Sequence, residues 1–347
     1  MQISFWSFVC NQWTTPKPVL TTDLAGKTVV VLGANTGIGF EATKHLARMN
    51  PGRLILACRN QTKGEAALGK LKAETGYTKA ELWIVDLADF ASVKHFAQRF
   101  EQDGGRLDIL VENAGVAAWD YVPTKDGWET SLQVNDLSTP LMALLLLPIM
   151  VKTAKDHATI PRLVVVSSEV HYWVTIDKSL IEGPNLFKVL GSKEYCHSTP
   201  KVLEDRYLLT KLLNVFFVRA LNARLPPATP LVVNTVNPGY CYSELRRTFS
   251  GIRLMLDNLM QWCLAFTTEQ GSRQLVWAAV AHQDDPDKLR GQYITASKVE
   301  EVSDFVLSPL GAKAQDRLWD EMVEILGKVD PKVHDIVDKY LSDSPSA

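Results

Sequence analysis

Cysteine is scarce and scattered in this chain of 347 residues: Cys10, Cys58, Cys196, Cys241 and Cys263, with no C-x-x-C spacing. That pattern argues against a disulfide framework and against a metal site built from paired ligands, and it fits a reducing, cytoplasmic compartment. Blocks of one charge are also missing; 37 basic against 39 acidic residues leave a formal net charge of -2. Recognition of nucleic acid through its phosphates is therefore not expected. No apolar run reaches spanning length. Ile3 to Cys10 is too short to cross a bilayer and lacks the basic residues that open a signal peptide. It covers the core or a substrate mouth, or else rests on a membrane surface. Leu141 to Met150, bracketed by Pro140 and Pro148, is again too short and reads as a buried or interface helix. With 46% hydrophobic residues and no low-complexity linker, the chain can bury a large core and is read as one domain acting on small molecules.

What the sequence does have is a glycine loop in a telling place. Gly33-Ala34-Asn35-Thr36-Gly37-Ile38-Gly39 follows the apolar run Thr28 to Leu32 and precedes a helical pattern from Phe40. Glycines let backbone approach a pyrophosphate, and the helix start offers unpaired N–H groups and the positive end of its dipole. The loop thus fits a dinucleotide, although a turn serving packing alone has the same letters. Apolar runs alternate with helical patterns down the chain: Leu54–Ala57, Leu82–Val85, Leu107–Val111, Leu163–Val166 and Leu231–Thr235 are separated by helices, two of the longer ones at about 128–155 and 204–225. Strands apolar on both faces, separated by helices, imply an α/β fold: a single-domain Rossmann-type doubly wound parallel sheet with helices on both faces. In such sheets ligands lie beyond the strands' carboxyl ends. Gly33, Arg59, Asp86, Asn113, Ser168 and Asn237 should therefore line one rim. Two stretches, 173–202 and 240–266, break the alternation and are candidate substrate loops.

The end of the second strand reads Ala57-Cys58-Arg59-Asn60, with no carboxylate for ribose hydroxyls. Arg59 offers a charge-assisted fork to a 2′-phosphate, which favours NADP(H) over NAD(H). As a solvated charge opening a helix, Arg59 would look the same. Asp86 is placed to accept from the adenine amino group, or simply caps the next helix. Tyr207 and Lys211 lie four residues apart in a helical pattern and so share a face. Lowering a phenol's pKa from near 10 by about three units takes roughly 4 kcal/mol. An ammonium at about 4 Å and an effective dielectric near 20 supplies about that much.

Taken together, Gly33-x-x-x-Gly37-x-Gly39, Asp86-Leu87, Asn113-Ala114-Gly115, Val134-Asn135, Val166-Ser167-Ser168, Tyr207-x-x-x-Lys211 and Asn237-Pro238-Gly239 resemble the short-chain dehydrogenase/reductase family from about Gly26 to Thr295. The finer details, Ala57-Cys58-Arg59 and Thr268-Glu269-Gln270-Gly271 among them, look most like its retinol-dehydrogenase-like branch, including fungal members of secondary metabolism. The resemblance implies residues 26–310 as the Rossmann domain, with an N-terminal extension over 1–25 and a helical extension over 311–347. It implies Tyr207 as general acid or base and Lys211 as the group that acidifies it and holds the nicotinamide ribose. It further implies Ser168 as the residue orienting the substrate oxygen, Ser167 as structural, and Asn135 as the anchor of a water feeding protons to Lys211. The cofactor would touch Gly33, Asn35, Thr36, Gly37, Ile38, Gly39, Arg59, Asp86, Leu87, Asn113, Ala114, Gly115, Pro238, Gly239 and Ser243, besides Asn135, Tyr207 and Lys211. Relatives commonly pair through the two long helices, so a homodimer is one expectation.

From Ser168 to Tyr207 is 39 residues, long for the family, and an inserted lid over the substrate is the natural explanation. His171 is close enough to Ser168 to touch substrate, or serves packing. Tyr172, Trp173, Phe187, Tyr240, Tyr242, Phe249, Met255 and Trp262 populate the candidate substrate regions and point to a lipophilic small molecule. The expected function is NADP(H)-dependent interconversion of a carbonyl and an alcohol. The alternatives are epimerisation, dehydration or cyclisation on the same fold, or a scaffold that binds cofactor without turnover.

Overall fold

Runs of valine, leucine and isoleucine build strands β1 (Thr28–Leu32), β2 (Arg53–Cys58), β3 (Ala80–Ile84), β4 (Ile109–Glu112), β5 (Arg162–Val166) and β6 (Val232–Val236), followed by the short β7 (Tyr293–Thr295) and β8 (Lys298–Glu300). The longer helices are α1 (Phe5–Gln12), α2 (Gly37–Arg48), α3 (Gln61–Thr75), α4 (Phe90–Gln102), α5 (Thr139–His157), α6 (Arg206–Arg224), α7 (Gly251–Leu264), α8 (Thr268–Val280), α9 (Pro309–Val329) and α10 (Lys332–Tyr340). This computed structural model describes residues 4–103, 105–243, 245 and 251–342, without the side chains of residues 5, 252, 253 and 256. Phe249, one of the expected substrate aromatics, lies outside the described residues.

Strand order is β3-β2-β1-β4-β5-β6-β7-β8, parallel from β3 through β7, with β8 returning antiparallel. The alternating direction of strand side chains divides the core in two. Val30, Leu32, Ile55 and Ala57 face Phe96, Leu144 and Val215 of α4, α5 and α6. Val29, Val31, Leu54 and Leu56 face Leu46, Leu71 and Leu275 of α2, α3 and α8. This is the doubly wound sheet that the alternation implied. β1 pairs with both β2 and β4, so strand order reverses there and opens a crevice at the carboxyl ends.

The long helix expected at about 128–155 has a more particular form. The buried Glu129 carboxylate accepts from the amides of Ser131 (2.7 Å) and Leu132 (3.0 Å) to start a turn. A π-helical stretch, Gln133–Ser138, then leads into α5. The span Thr130–His157 is long and apolar enough to cross a membrane by length and composition, yet 94% of its apolar window is buried inside the protein. It is the core helix that the proline brackets indicated.

The expected pairing face of α5 and α6 is taken by the chain's own end: α9 packs on α6, and α10 packs on α5. Trp319 stacks on Phe217 at 6.4 Å, and Arg224 pairs with Asp316 at 3.1 Å. The face expected to pair two copies is thus covered by α9 and α10 of the same chain.

The stretch at 173–202 also departs from expectation. It forms short helices, of which Lys178–Glu182 and Leu186–Leu190 dock on α9 and Lys193–Cys196 packs on the second of these. The Glu321 carboxylate accepts from the amides of Leu186 (3.0 Å) and Phe187 (2.7 Å), and Arg317 donates to the Gly183 carbonyl (2.6 Å). Phe187 is buried edge-on against Trp128, centroids 6.4 Å apart. Such polar anchoring, with the burial of Ile176, Ile181, Leu186, Phe187 and Leu190, fixes the insertion against the body of the fold, and of its residues only Trp173 lines the cavity.

Candidate active site

A cavity of about 990 Å³ fills the crevice at the strands' carboxyl ends. It is lined by Gly33, Asn35, Thr36, Gly37, Ile38 and Gly39 after β1, by Arg59 after β2, by Asp86 and Leu87 after β3, and by Asn113, Ala114 and Gly115 after β4. Ser168, Tyr207, Lys211, Pro238, Gly239 and Ser243 line its other half. Every expected site residue except Asn135 is thus on one wall system.

The glycine loop is shaped for backbone approach. Gly37 has φ +60°, and a Cβ there would meet nothing within 4 Å, so its backbone faces open space. Gly39 is the opposite case: a Cβ would sit 2.3 Å from both the Asn113 amide nitrogen and the Gly33 carbonyl oxygen. Asn113 donates to the carbonyls of Leu32 and Gly33, each at 3.2 Å, and so braces the loop. An open cradle at the start of α2, with a cationic Arg59 on the same wall, fits the phosphates of a dinucleotide. Asp86 lines the cavity while its carboxylate accepts from the Ala88 amide at 3.0 Å in the turn before α4; the cap of that helix is Asp89, which accepts from the Ala91 amide at 2.9 Å, so the capping role expected of Asp86 falls to its neighbour.

α6 carries Tyr207 and Lys211 on one face, with the Lys211 nitrogen 5.5 Å from the Tyr207 ring centre. The ammonium is fixed by donation to the Val166 carbonyl (2.8 Å) and the Asn214 amide oxygen (3.1 Å). Ser167 donates to the Lys211 carbonyl at 2.7 Å, the structural task expected of it. Ser168 caps the short turn Glu169–Trp173, its hydroxyl oxygen accepting from the Val170 amide at 3.4 Å. An oxygen used as acceptor leaves its O–H free to donate into the cavity.

Asn135 lies behind the wall. Its side chain accepts from the Val116 amide (2.9 Å) and donates to the Val116 carbonyl (2.9 Å) and Thr210 hydroxyl (3.0 Å). Its backbone carbonyl accepts from the Asn214 amide at 2.8 Å. Asn135 and Lys211 are thus joined through the Asn214 side chain, a residue outside the motifs named above. The clue was available, since Asn214 follows Lys211 by three residues on the same helical face. Asn214 also donates to the Asp136 carboxyl at 3.2 Å. Burial pushes Lys211 down to about 8, opposed by the field of Asp136, and burial pushes Asp136 well above the usual carboxylate range.

His171 does not reach the cavity lining. It is fully buried between the rings of Tyr172 and Tyr293, its Nδ1 is 2.8 Å from the Ser168 carbonyl, and burial lowers its pKa to about 4. It is a neutral packing residue that fixes the Ser168 backbone. Tyr172 is likewise buried and bonds the Glu301 carbonyl. At the substrate end, Phe8, Trp119, Trp173, Tyr240, Tyr242 and Met260 line the cavity, together with the carboxyl groups of Glu169 and Asp257. Segment 240–266 thus contributes as expected, whereas Met255 and Trp262 point to solvent.

The fold, the glycine cradle and the Ser-Tyr-Lys wall define an oxidoreductase of the short-chain dehydrogenase/reductase family, and the chain belongs to that family. The family model for short chain dehydrogenases matches residues 27–172. The short chain dehydrogenase/reductase dmxR8 of Cryptosporiopsis is 35% identical over 329 residues, covering 94% of this chain and 98% of its own. The short-chain dehydrogenase anuD of Penicillium roqueforti is 36% identical over 339 residues, covering 95% and 85%. Among solved structures, a short-chain dehydrogenase from Sphingobium yanoikuyae in complex with NADPH superposes with a TM-score of 0.51 at 22% identity, covering 71% of this chain and 81% of that one. At that identity the likeness speaks for the fold.

Proposed function

We propose that the protein uses NADPH to reduce a carbonyl group on a lipophilic small molecule of fungal secondary metabolism. The observation that carries this is the meeting of Ser168, Tyr207 and Lys211 on the wall of a cavity that also holds the open glycine cradle. When bound, the cofactor supplies the hydride. Ser168 donates to the carbonyl oxygen and aligns it with Tyr207. Tyr207 gives its phenolic proton to that oxygen as charge develops there. Lys211 stabilises the phenolate left behind, and its own position is held by Val166 and Asn214. Arg59, with no carboxylate at the end of β2, supports the phosphorylated cofactor. Both relatives named above come from fungi, which supports the metabolic setting.

The test is a panel of lipophilic ketones with NADPH, followed by loss of reduced-nicotinamide absorbance, with product isolation. Turnover that disappears in Tyr207→Phe while NADPH still binds is the expected result. Cofactor-independent product, or turnover unchanged in Tyr207→Phe, would refute the reading.

A further inference from the structure

Helix α1 lies at the substrate end of the cavity, and the chemistry above makes no use of it. Phe8 is only 5% exposed, lines the cavity, and sits edge-on to Trp173 (5.6 Å) and Tyr240 (6.1 Å). One turn further along the same face, the buried Gln12 amide is 3.3 Å from the carboxyl of Glu169, the residue that follows Ser168. Rotated by half a turn, that amide bonds the Tyr240 N–H (3.2 Å), the Tyr240 carbonyl (3.1 Å) and the Leu264 carbonyl (3.3 Å). Either way, Gln12 ties α1 to the cavity wall. Trp13 adds a second tie, its indole N–H donating to the Cys263 carbonyl at 3.2 Å.

Three rings, those of Phe8, Trp173 and Tyr240, therefore meet around one space. A flat fused-ring ligand makes offset or edge contacts with several such rings at once. A linear chain filling the same space must freeze a rotor for each contact it gains. We propose that α1 is a wall of the substrate chamber, in which Phe8 with Trp173 and Tyr240 selects a fused-ring carbonyl compound over a linear ketone, and in which Gln12 holds that wall in place. The inference rests on the reductase reading and sharpens its substrate class.

Two ketones of ten carbons, 1-tetralone and 2-decanone, serve as probes of the whole enzyme. Expected for wild type is a kcat/KM ratio favouring tetralone by at least about tenfold. Phe8→Ala removes about tenfold of that preference by raising KM for tetralone, with kcat and the NADPH dissociation constant within about twofold. Phe8→Leu, which keeps an apolar residue for packing, loses the preference in the same way. Gln12→Leu, a change to a positioning residue, raises KM for tetralone without lowering kcat. Dissociation constants of both ketones for the enzyme–NADPH complex read the chamber without turnover. Ring-selective binding that Phe8→Ala abolishes upholds the chamber even where neither probe is reduced, whereas the reductase reading falls on the ketone panel and the Tyr207→Phe control. Equal affinities for the two ketones, or an unchanged preference in both Phe8 variants, overturn the chamber, even where turnover depends on Tyr207.

Discussion

The Asn214 amide joins two parts of the site: its oxygen accepts from the Lys211 ammonium at 3.1 Å and its nitrogen donates to the Asn135 carbonyl at 2.8 Å. Lys211 is fully enclosed, so each acceptor it keeps weighs directly on whether it stays charged. Asn214 is thereby a positioning residue, acting on Tyr207 through the lysine.

Asn214→Leu should lower kcat/KM for reduction by about tenfold and move its alkaline limb. A hydrogen bond to a charged group is worth about 1.5–3 kcal/mol, and each 1.36 kcal/mol is about one pH unit. Burial has already brought Lys211 down to about 8. Loss of an acceptor for the ammonium lowers it further, so the limb moves toward lower pH by about one unit. A pH–rate profile with the limb in its wild-type place would count against this role.

Arg59→Ala should raise the Michaelis constant for NADPH by about tenfold or more and leave that for NADH nearly unchanged, because only NADPH carries the 2′-phosphate. Arg59 lines the cavity and is solvent-exposed, so its removal disturbs no packing. Equal effects on both cofactors would mean that Arg59 does not read the phosphate.

Glu169 gives a pH dependence of stability. Burial pushes its carboxyl up to about 7, opposed by a hydrogen bond from Asn237. Between about 4.5 and 7 the folded protein thus holds this proton more firmly than the unfolded chain does. The corresponding stability is present below pH 4.5 and lost as pH rises through 7, on the order of 3 kcal/mol. Glu169→Gln should remove that loss, so the variant gains on wild type between pH 5 and pH 8 in urea titrations. Parallel behaviour of the two proteins across that range would refute the shift.

Coverage of α5 and α6 by α9 and α10 sets the state of association expected in solution. Light scattering on the purified chain should give the monomer mass, 38.7 kDa. Trp319→Ala removes a buried ring stacked on Phe217 and should destabilise by about 3–5 kcal/mol. A dimer that persists at low concentration would place its interface on another face.

The sequence alone determined what depends on near neighbours. Strand positions showed in runs of branched apolar residues, because a sheet covered on both sides demands them. The glycine cradle and the Tyr207–Lys211 face showed because both are set by spacing within one turn of chain. The rim of Gly33, Arg59, Asp86, Asn113 and Ser168 followed from strand polarity, since parallel strands bring their carboxyl ends together, whereas Asn237, the sixth residue expected there, is buried and bonds Thr295 instead of lining the cavity. Tertiary structure decided the rest. Gln12 meets Glu169 across 157 residues, and Arg317 meets Gly183 across 134. No local pattern marks such contacts. His171 could not be told from a ligand until Tyr172 and Tyr293 enclosed it. The insertion after Ser168 read as a lid because its anchor, α9, lies more than a hundred residues downstream. A side chain's periodicity says which way it turns within its own element; only packing between distant elements says what it meets.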